Sequence, residues 1–335
     1  MINNQIVADG GKNRDFSIDI LKCLAALLIT WSHFEKPLGD FSFLASGGAF
    51  GDGLFFFCSG YVLFLSQRDG GFFNWYKRRI NRIYPTVFSW ALVLCVFFSW
   101  NNNFIDVLTC KGYWFVPYIM MFYVLFYPIK KHASNKQLLV VIAVYILLSC
   151  IGYCFIDHTV NKQENTWMYW SFFTTMLMGG LVGKNKKAGK KMPLDNQRCF
   201  VLLFGLVLCF VLYYAFCYLE GKNSDYHFMR PLNMIFVCGF AYFLFLLCST
   251  PFMERVYHNR YGHAIIMIIG GLCLEIYLVQ LRIISDKLNW LFPLNIFVLF
   301  VCIFIAAYLL RCFARIWEQT FKEAEYNWKQ IIQLY

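Results

Sequence analysis

Apolar residues along this chain gather into long runs separated by short polar stretches, and ten of the runs are long enough to be read as membrane-spanning helices. Their approximate limits are 16–34, 44–66, 84–99, 112–129, 138–156, 167–183, 199–219, 230–249, 261–281 and 288–310. The third is short, and the second and sixth are rich in glycine. The pattern predicts an all-α polytopic membrane protein of about ten helices in one bundle. It forms a single domain over residues 1–335, with the spans filling roughly 16–310.

The polar stretches test this reading, because cytoplasmic connections carry the excess of Lys and Arg. The N-terminal tail holds Lys12 and Arg14, the second connection Arg68, Lys77, Arg78, Arg79 and Arg82, and the fourth Lys130, Lys131 and Lys136. The sixth is richest, with Lys184, Lys186, Lys187, Lys190, Lys191 and Arg198. The eighth holds Arg255 and Arg260, and the C-terminal tail Arg311, Arg315, Lys322 and Lys329. The alternate connections hold only Lys36, Lys111, Lys162, Lys222, Arg230, Arg282 and Lys287. The division is 22 against 7, with Lys22 left inside a span, and it predicts both termini in the cytoplasm. The expected location is a bacterial plasma membrane, in contact with its lipid.

Composition agrees: 59% of residues are hydrophobic, 20% aromatic and only 15% charged, too little polar surface for a soluble chain of this length. The net charge of +11 follows the topology instead of forming a basic patch among aromatic stackers, so no nucleic-acid partner is expected. Most of the fourteen cysteines lie in apolar spans, where they act as small hydrophobes. No pair has metal-ligand spacing, and no metal is expected. The first span is too long for a cleavable signal peptide and lacks its cleavage pattern. No appended soluble domain and no inverted repeat is expected.

The polar residues that interrupt the spans carry the candidate chemistry, since charge inside a membrane is costly and marks function by default. Phe16 to Phe34 contains Asp19, Lys22 and His33. Lys22 and His33 are eleven positions apart, close to three helical turns, so they share a face that Asp19 also joins. The run GGAFGDGLFFFCSG from Gly47 sets Asp52 among glycines that admit a close backbone or ligand. The stretch WYKRRINRIYP then places Arg79 and Arg82 three apart at the mouth of the third span, with Pro85 in its first turn. Two guanidiniums on one face suit phosphate.

These segments resemble the acyltransferase 3 family, integral membrane enzymes that move acyl groups, commonly acetyl, onto cell-surface carbohydrate. The resemblance rests on DILKCLAALLITWSH, on LFFFCSGY and on YKRRINRIYP. YWFVPYIMMFYVLFYP from Tyr113 looks like the family's aromatic helix, and LCLEIYLVQ like its closing IYL motif. It spans most of the chain and is specific in the first 90 residues or so. Two positions depart from the pattern. Lys22 stands where the family has Arg, keeping the charge without the bidentate fork. Gln280 stands where many relatives have His, and cannot titrate.

The resemblance implies membrane-bound O-acyl transfer, of an acetyl group by family habit, from acyl-CoA to a hydroxyl of a cell-surface or lipid-linked glycan. Acetyl-CoA or another acyl-CoA is then a cosubstrate and no cofactor is tightly bound. His33 is the expected catalytic residue, either as general base or as transient acyl carrier; its bland alternative is an interfacial hydrogen bond. Arg79, Arg82 and Lys22 are expected to bind the acyl-CoA, against the alternatives of topology-setting arginines and a Lys22–Asp19 pair. Asp52, Ser59 and Glu275 are candidate substrate-binding residues; either acid would otherwise pair with Lys22 or an arginine, orient His33, or accept a proton. Trp114 and Tyr118 read as packing aromatics. His33 lies about 16 Å along the helix from Lys22, which implies transfer across the bilayer. A transporter or flippase for a lipid-linked sugar would line its pathway with the same charges, and a relative that has lost catalysis would only bind.

Overall fold

The computed structural model describes residues 15–66, 70–98, 103–108, 110–156, 161–189, 198–222 and 224–334. Lys12, Arg14, Arg68, Lys190 and Lys191, counted above among the connections, lie outside them. All regular structure among the described residues is helical. The chain runs through α1 (Phe16–Ser32), α2 (Glu35–Leu38), α3 (Gly48–Leu65), α4 (Phe72–Phe98), α5 (Phe104–Leu108), α6 (Phe115–His132), α7 (Asn135–Tyr153) and α8 (Asn161–Ser171). It continues through α9 (Phe173–Lys187), α10 (Cys199–Lys222), α11 (Arg230–Cys248), α12 (Pro251–His258), α13 (Arg260–Gly271), α14 (Cys273–Ile283), α15 (Leu294–Thr320) and α16 (Trp328–Ile332).

Six helices, α3, α4, α7, α10, α11 and α15, are long and apolar enough to cross a membrane. The count rises to eight if two bent pairs each form one span: α1 with 35–44, bent by 63°, and α13 with α14, bent by 71°. The count of about ten expected from the sequence is therefore not reached by length and apolarity. The two remaining runs, 112–129 and 167–183, are helical, but α6 closes on Lys130, Lys131 and His132 and α9 has 15 residues with Lys184, Lys186 and Lys187 in its last turn. Around the outside, α7 and α10 expose Leu139, Val140, Leu147, Phe200, Val201 and Phe204, and α10 buries only Leu202 and Gly205. Helices apolar on every side and largely uncovered are made for lipid.

Two boundaries differ from the expected ones for a shared reason. α4 begins at Phe72, so the basic stretch is helix, and Pro85 lies inside it. Its first turns are amphipathic: Trp75 and Ile83 are buried while Lys77, Asn81 and Arg82 are exposed. α15 likewise continues through Arg311 and Arg315 to Thr320. In both places a charge that closes an apolar run does not end the helix, because the backbone has no better hydrogen-bonding alternative.

The centre of the bundle is a seam between the glycine-rich α3 and α9. The Cα of Gly60 faces the Met176 carbonyl, Gly179 faces the Phe57 backbone, and Gly183 faces the Tyr61 carbonyl, each with no space for a Cβ. Backbones in such contact gain packing that any side chain would prevent. Gly60→Ala is expected to destabilise the protein by about 3 kcal/mol, the upper range for overpacking. Gly152, with no atom near its missing Cβ, provides the control. Thermal unfolding in detergent should show Gly60→Ala melting well below the native protein and Gly152→Ala at or slightly above it.

At the same level of α3, Tyr61 donates to the Asp15 carboxylate. Asp15 also caps α1 by accepting from the Ser17 amide at 3.2 Å, and it receives Lys186 of α9 at 2.5 Å. One carboxylate thus ties α1, α3 and α9 together. Burial pushes the acid of Asp15 up, but the hydrogen bonds from Lys186, Tyr61 and Ser17 outweigh it and hold it below the ordinary value.

Candidate functional site

α1 and α3 are antiparallel, and their contacts set the level of each candidate. Gly48 lies under Ser32 Oγ, Gly51 under Ile29 and the Ala25 carbonyl, and Tyr61 reaches Asp15. Asp52 is therefore level with the stretch between Ala25 and Ile29. Ser59 comes two turns further on, beside Cys58, which feels the charge of Lys22. His33 caps the far end of α1, exposed, with its amide donating to the Thr30 carbonyl at 3.1 Å where the chain turns into α2.

The acidic and basic groups of the interior divide into two sets. Asp19 is buried and accepts from Tyr257 Oη at 3.2 Å. Glu275 is buried beneath Arg311, which donates from Nε at 3.1 Å and from Nη2 at 2.9 Å and also reaches the Gly271 carbonyl. That fork joins α14 to α15 in the planar geometry that suits guanidinium and carboxylate. In the second set, Lys22, Asp52 and Ser59 are only partly buried and make no side-chain hydrogen bond or ion pair among the described residues. Lys22 is near Cys58 and Cys273, whose thiols it influences electrostatically, and Asp52 is near Tyr169 and Tyr277.

Helical periodicity explains how α3 serves both seam and site. Between its first and last turns the partly accessible positions are Asp52, Phe55, Ser59 and Val62, spaced three, four and three apart along one face, while Gly53, Phe57 and Gly60 are buried. The open face meets the aromatic part of α6 and α8. Phe55 lies 5.8 Å from Phe115, and Trp114 stacks on Tyr169 at 4.0 Å. Tyr277 of the IYL motif accepts from the Phe115 amide at 3.3 Å. Gln280, three residues on, is wholly buried; Thr30 Oγ1 donates to its Oε1 at 2.9 Å, and its Nε2 has no partner among the described residues. The departure at this position thus puts an amide with a spare donor against α1.

At the basic end, Arg79 lies over the ring of Trp75 at 5.2 Å and that of Tyr123 at 5.8 Å, with its Nε buried and unpartnered among the described residues. Two rings hold this guanidinium in place, at a distance where cation–π attraction is effective. Arg82, one turn on, is exposed. The two occupy one helical face, as the spacing implies. Arg79 is set into the protein and Arg82 toward solvent.

Three partners escaped sequence reasoning. Arg311 sat beyond the assumed end of the last span; Tyr257 is 238 positions from Asp19, and nothing local signals the contact. Tyr277 was within reach, because it forms the centre of a motif already singled out. Among the described residues no group of His, Cys, Asp and Glu could hold a metal ion.

A lipid-facing helical bundle with polar side chains left open in its interior defines an integral membrane protein with a polar internal site. An acyltransferase-domain family model, Acyl_transf_3, matches residues 15–315, and the chain belongs to this acyltransferase 3 family. It is a membrane acyltransferase. No curated protein and no solved structure matches the chain.

Proposed function

We propose that the protein moves an acyl group, acetyl in the first instance, from acyl-CoA to a hydroxyl of a cell-surface or lipid-linked glycan. The observation supporting this reading is the second set of polar groups. A charge at the centre of a bilayer costs about 2.5–3.5 kcal/mol on insertion scales, so leaving Lys22 without a partner consumes an appreciable part of a typical folding stability. Asp19 is hydrogen-bonded by Tyr257 and Glu275 is paired with Arg311, which makes the open Lys22 and Asp52 a feature to be explained by a ligand.

In this reading Arg79, presented by Trp75 and Tyr123, and Arg82 hold the phosphates of coenzyme A. The pantetheine arm extends along the open face of α3 past Lys22 and Ser59 toward Asp52 and His33. His33 accepts the proton of the acceptor hydroxyl while its oxygen attacks the thioester carbon. The new C–O bond replaces the C–S bond, and coenzyme A leaves as thiolate to take up a proton. With His33 as acyl carrier, the same bonds change in two steps. Both termini then lie in the cytoplasm and the acceptor on the opposite side. Glu275 supports this face of α14 from behind, and Asp52 and Ser59 meet the substrate.

Transfer of label from radiolabelled acetyl-CoA to glycan in membranes carrying the protein tests the reaction. Replacing Arg79 and Arg82 together with glutamine is expected to raise KM for acetyl-CoA about tenfold or more, as loss of two charge-assisted contacts requires, with a smaller change in kcat. An unchanged KM would remove both arginines from the donor site, and absence of label in glycan with the native chain would overturn the reaction itself.

A further inference from the structure

Beyond His33 the chain turns into α2 and the stretch after it, residues 35–44, bent by 63° from α1. Three hydrogen bonds fix this segment to the bundle. Trp31 Nε1 donates to the Leu44 carbonyl at 2.8 Å, Asn289 Nδ2 to the Lys36 carbonyl at 2.9 Å, and the buried Asn295 Nδ2 to the Pro37 carbonyl at 2.9 Å. Pro37 and Leu38 are buried on its inner side, and the preceding Phe34 stacks on Phe300 of α15 at 4.8 Å. The segment is thus a built part of the fold beside His33, and its outer side decides whether it continues the span of α1 or leaves it.

That outer side carries exposed aromatics and exposed charges together. Phe41, Phe43 and Leu44 are uncovered, Phe43 at 75%. Phe41 stacks on Phe292 at 5.7 Å, which joins the segment to the turn before α15, where Trp290 is 78% exposed. Glu35, Lys36 and Asp40 are exposed among them. Three charges within ten residues forbid a place in the hydrocarbon core, and a contiguous patch of large apolar side chains is out of place in water. The layer that accepts both is the headgroup region, where amphipathic aromatics collect. The lipid-facing surface leads to the same level. On α15, Phe297, Val301, Ile305 and Leu309 are exposed at four-residue spacing, one ridge that runs up to Leu294 and into the patch. About 20 residues cross a bilayer, and counted back from Arg311 and Arg315 they end at Leu291 and Asn295, level with Trp290 and Phe292.

We propose that residues 35–44 and 289–294 form a collar seated in the headgroup layer of the leaflet at the His33 end of the bundle, and that the acyl acceptor is a saccharide carried on a membrane lipid. The collar stands on exposure and packing alone. The acceptor rests on the acyl-transfer reading with His33 at its centre. His33 lies between α1 and the collar, so the depth of the collar is also the depth of His33. A hydroxyl on a lipid-borne sugar is confined to that layer and meets His33 at high effective concentration, whereas one on a glycan free in water is not confined. The exposed charges of the collar and its turn, Glu35, Lys36, Asp40, Asp286 and Lys287, nearly cancel, so the seat requires no anionic lipid.

Depth-dependent quenching tests the collar. The protein is reconstituted in phosphatidylcholine vesicles that carry a nitroxide on the headgroup, near the top of the acyl chain or at its end. The emission of Trp290 is taken as the difference between the native chain and Trp290→Phe, a change at an exposed ring that should leave the melting temperature unaltered. Headgroup or upper-chain nitroxide is expected to quench this component about threefold more than chain-end nitroxide. Strongest quenching from the chain end would place the turn in the hydrocarbon core, and quenching by aqueous iodide with none from any nitroxide lipid would place it in water; either result overturns the collar. The acceptor is read separately, by supplying radiolabelled acetyl-CoA to membranes carrying the protein and separating solvent-extractable, lipid-linked saccharide from water-soluble glycan. Early label is expected to be about tenfold or more richer in the extractable fraction. Early label mainly in the water-soluble glycan overturns the lipid-borne acceptor and leaves both the collar and acyl transfer standing. Label in neither fraction overturns acyl transfer, and the acceptor with it, while the quenching result still decides the collar.

Discussion

With His33 replaced by alanine, transfer of label from acetyl-CoA to glycan is expected to fall about a hundred- to ten-thousand-fold, the usual contribution of a general acid–base group. An acyl-carrying histidine would be lost at least as completely. The side chain is exposed at the end of α1 and makes no hydrogen bond among the described residues, so its removal should leave stability within about 0.5 kcal/mol. The informative result is therefore a pair of measurements: activity lost at matched expression, with an unchanged melting temperature. Activity retained by the variant would keep the reaction and take His33 out of it. A melting temperature that falls together with activity would assign the histidine to the turn between α1 and α2.

The second large effect is expected at Arg311. Converting it to alanine leaves Glu275, buried on α14, without the cation that pairs with it and also frees the Gly271 carbonyl. Removing one partner of a buried ion pair costs about 3–5 kcal/mol, much of it for stranding the other charge. Arg311→Ala should accordingly express poorly or melt far below the native protein. The double variant Arg311→Met with Glu275→Leu removes both charges at similar volume, and such exchanges are often neutral for stability. It should recover most of the native melting temperature. Acyl transfer in that double variant then decides what Glu275 does: full activity makes it structural, whereas a stable but inactive protein gives its carboxylate a part in substrate binding.

The helical class and the approximate place of each apolar segment were legible in the sequence, because they depend on local periodicity alone. The glycine signal in the second and sixth runs was also legible, although its meaning became specific only when Gly60 and Met176 met across two helices. Helix ends were read less well. Basic residues at 77–82 and at 311–315 looked like the limits of spans, but the helices run through them. The sorting of the acids was not legible at all. Asp19, Asp52 and Glu275 look alike in one dimension, and what separates them is Tyr257 and Arg311, brought in from remote positions.

The α3–α9 seam also limits how the protein can move. Sliding two helices past one another normally requires side chains that exchange one set of grooves for another. Where Gly60, Gly179 and Gly183 bring main chain against main chain, there are no side chains to exchange, and a shift of even part of a turn would drive flanking Phe57 or Tyr61 into the opposing backbone. The two helices therefore behave as a fixed keel. Any opening that admits a donor on one side or releases a product on the other must be made by the helices around it, with α3 as the stationary wall along which the substrates pass.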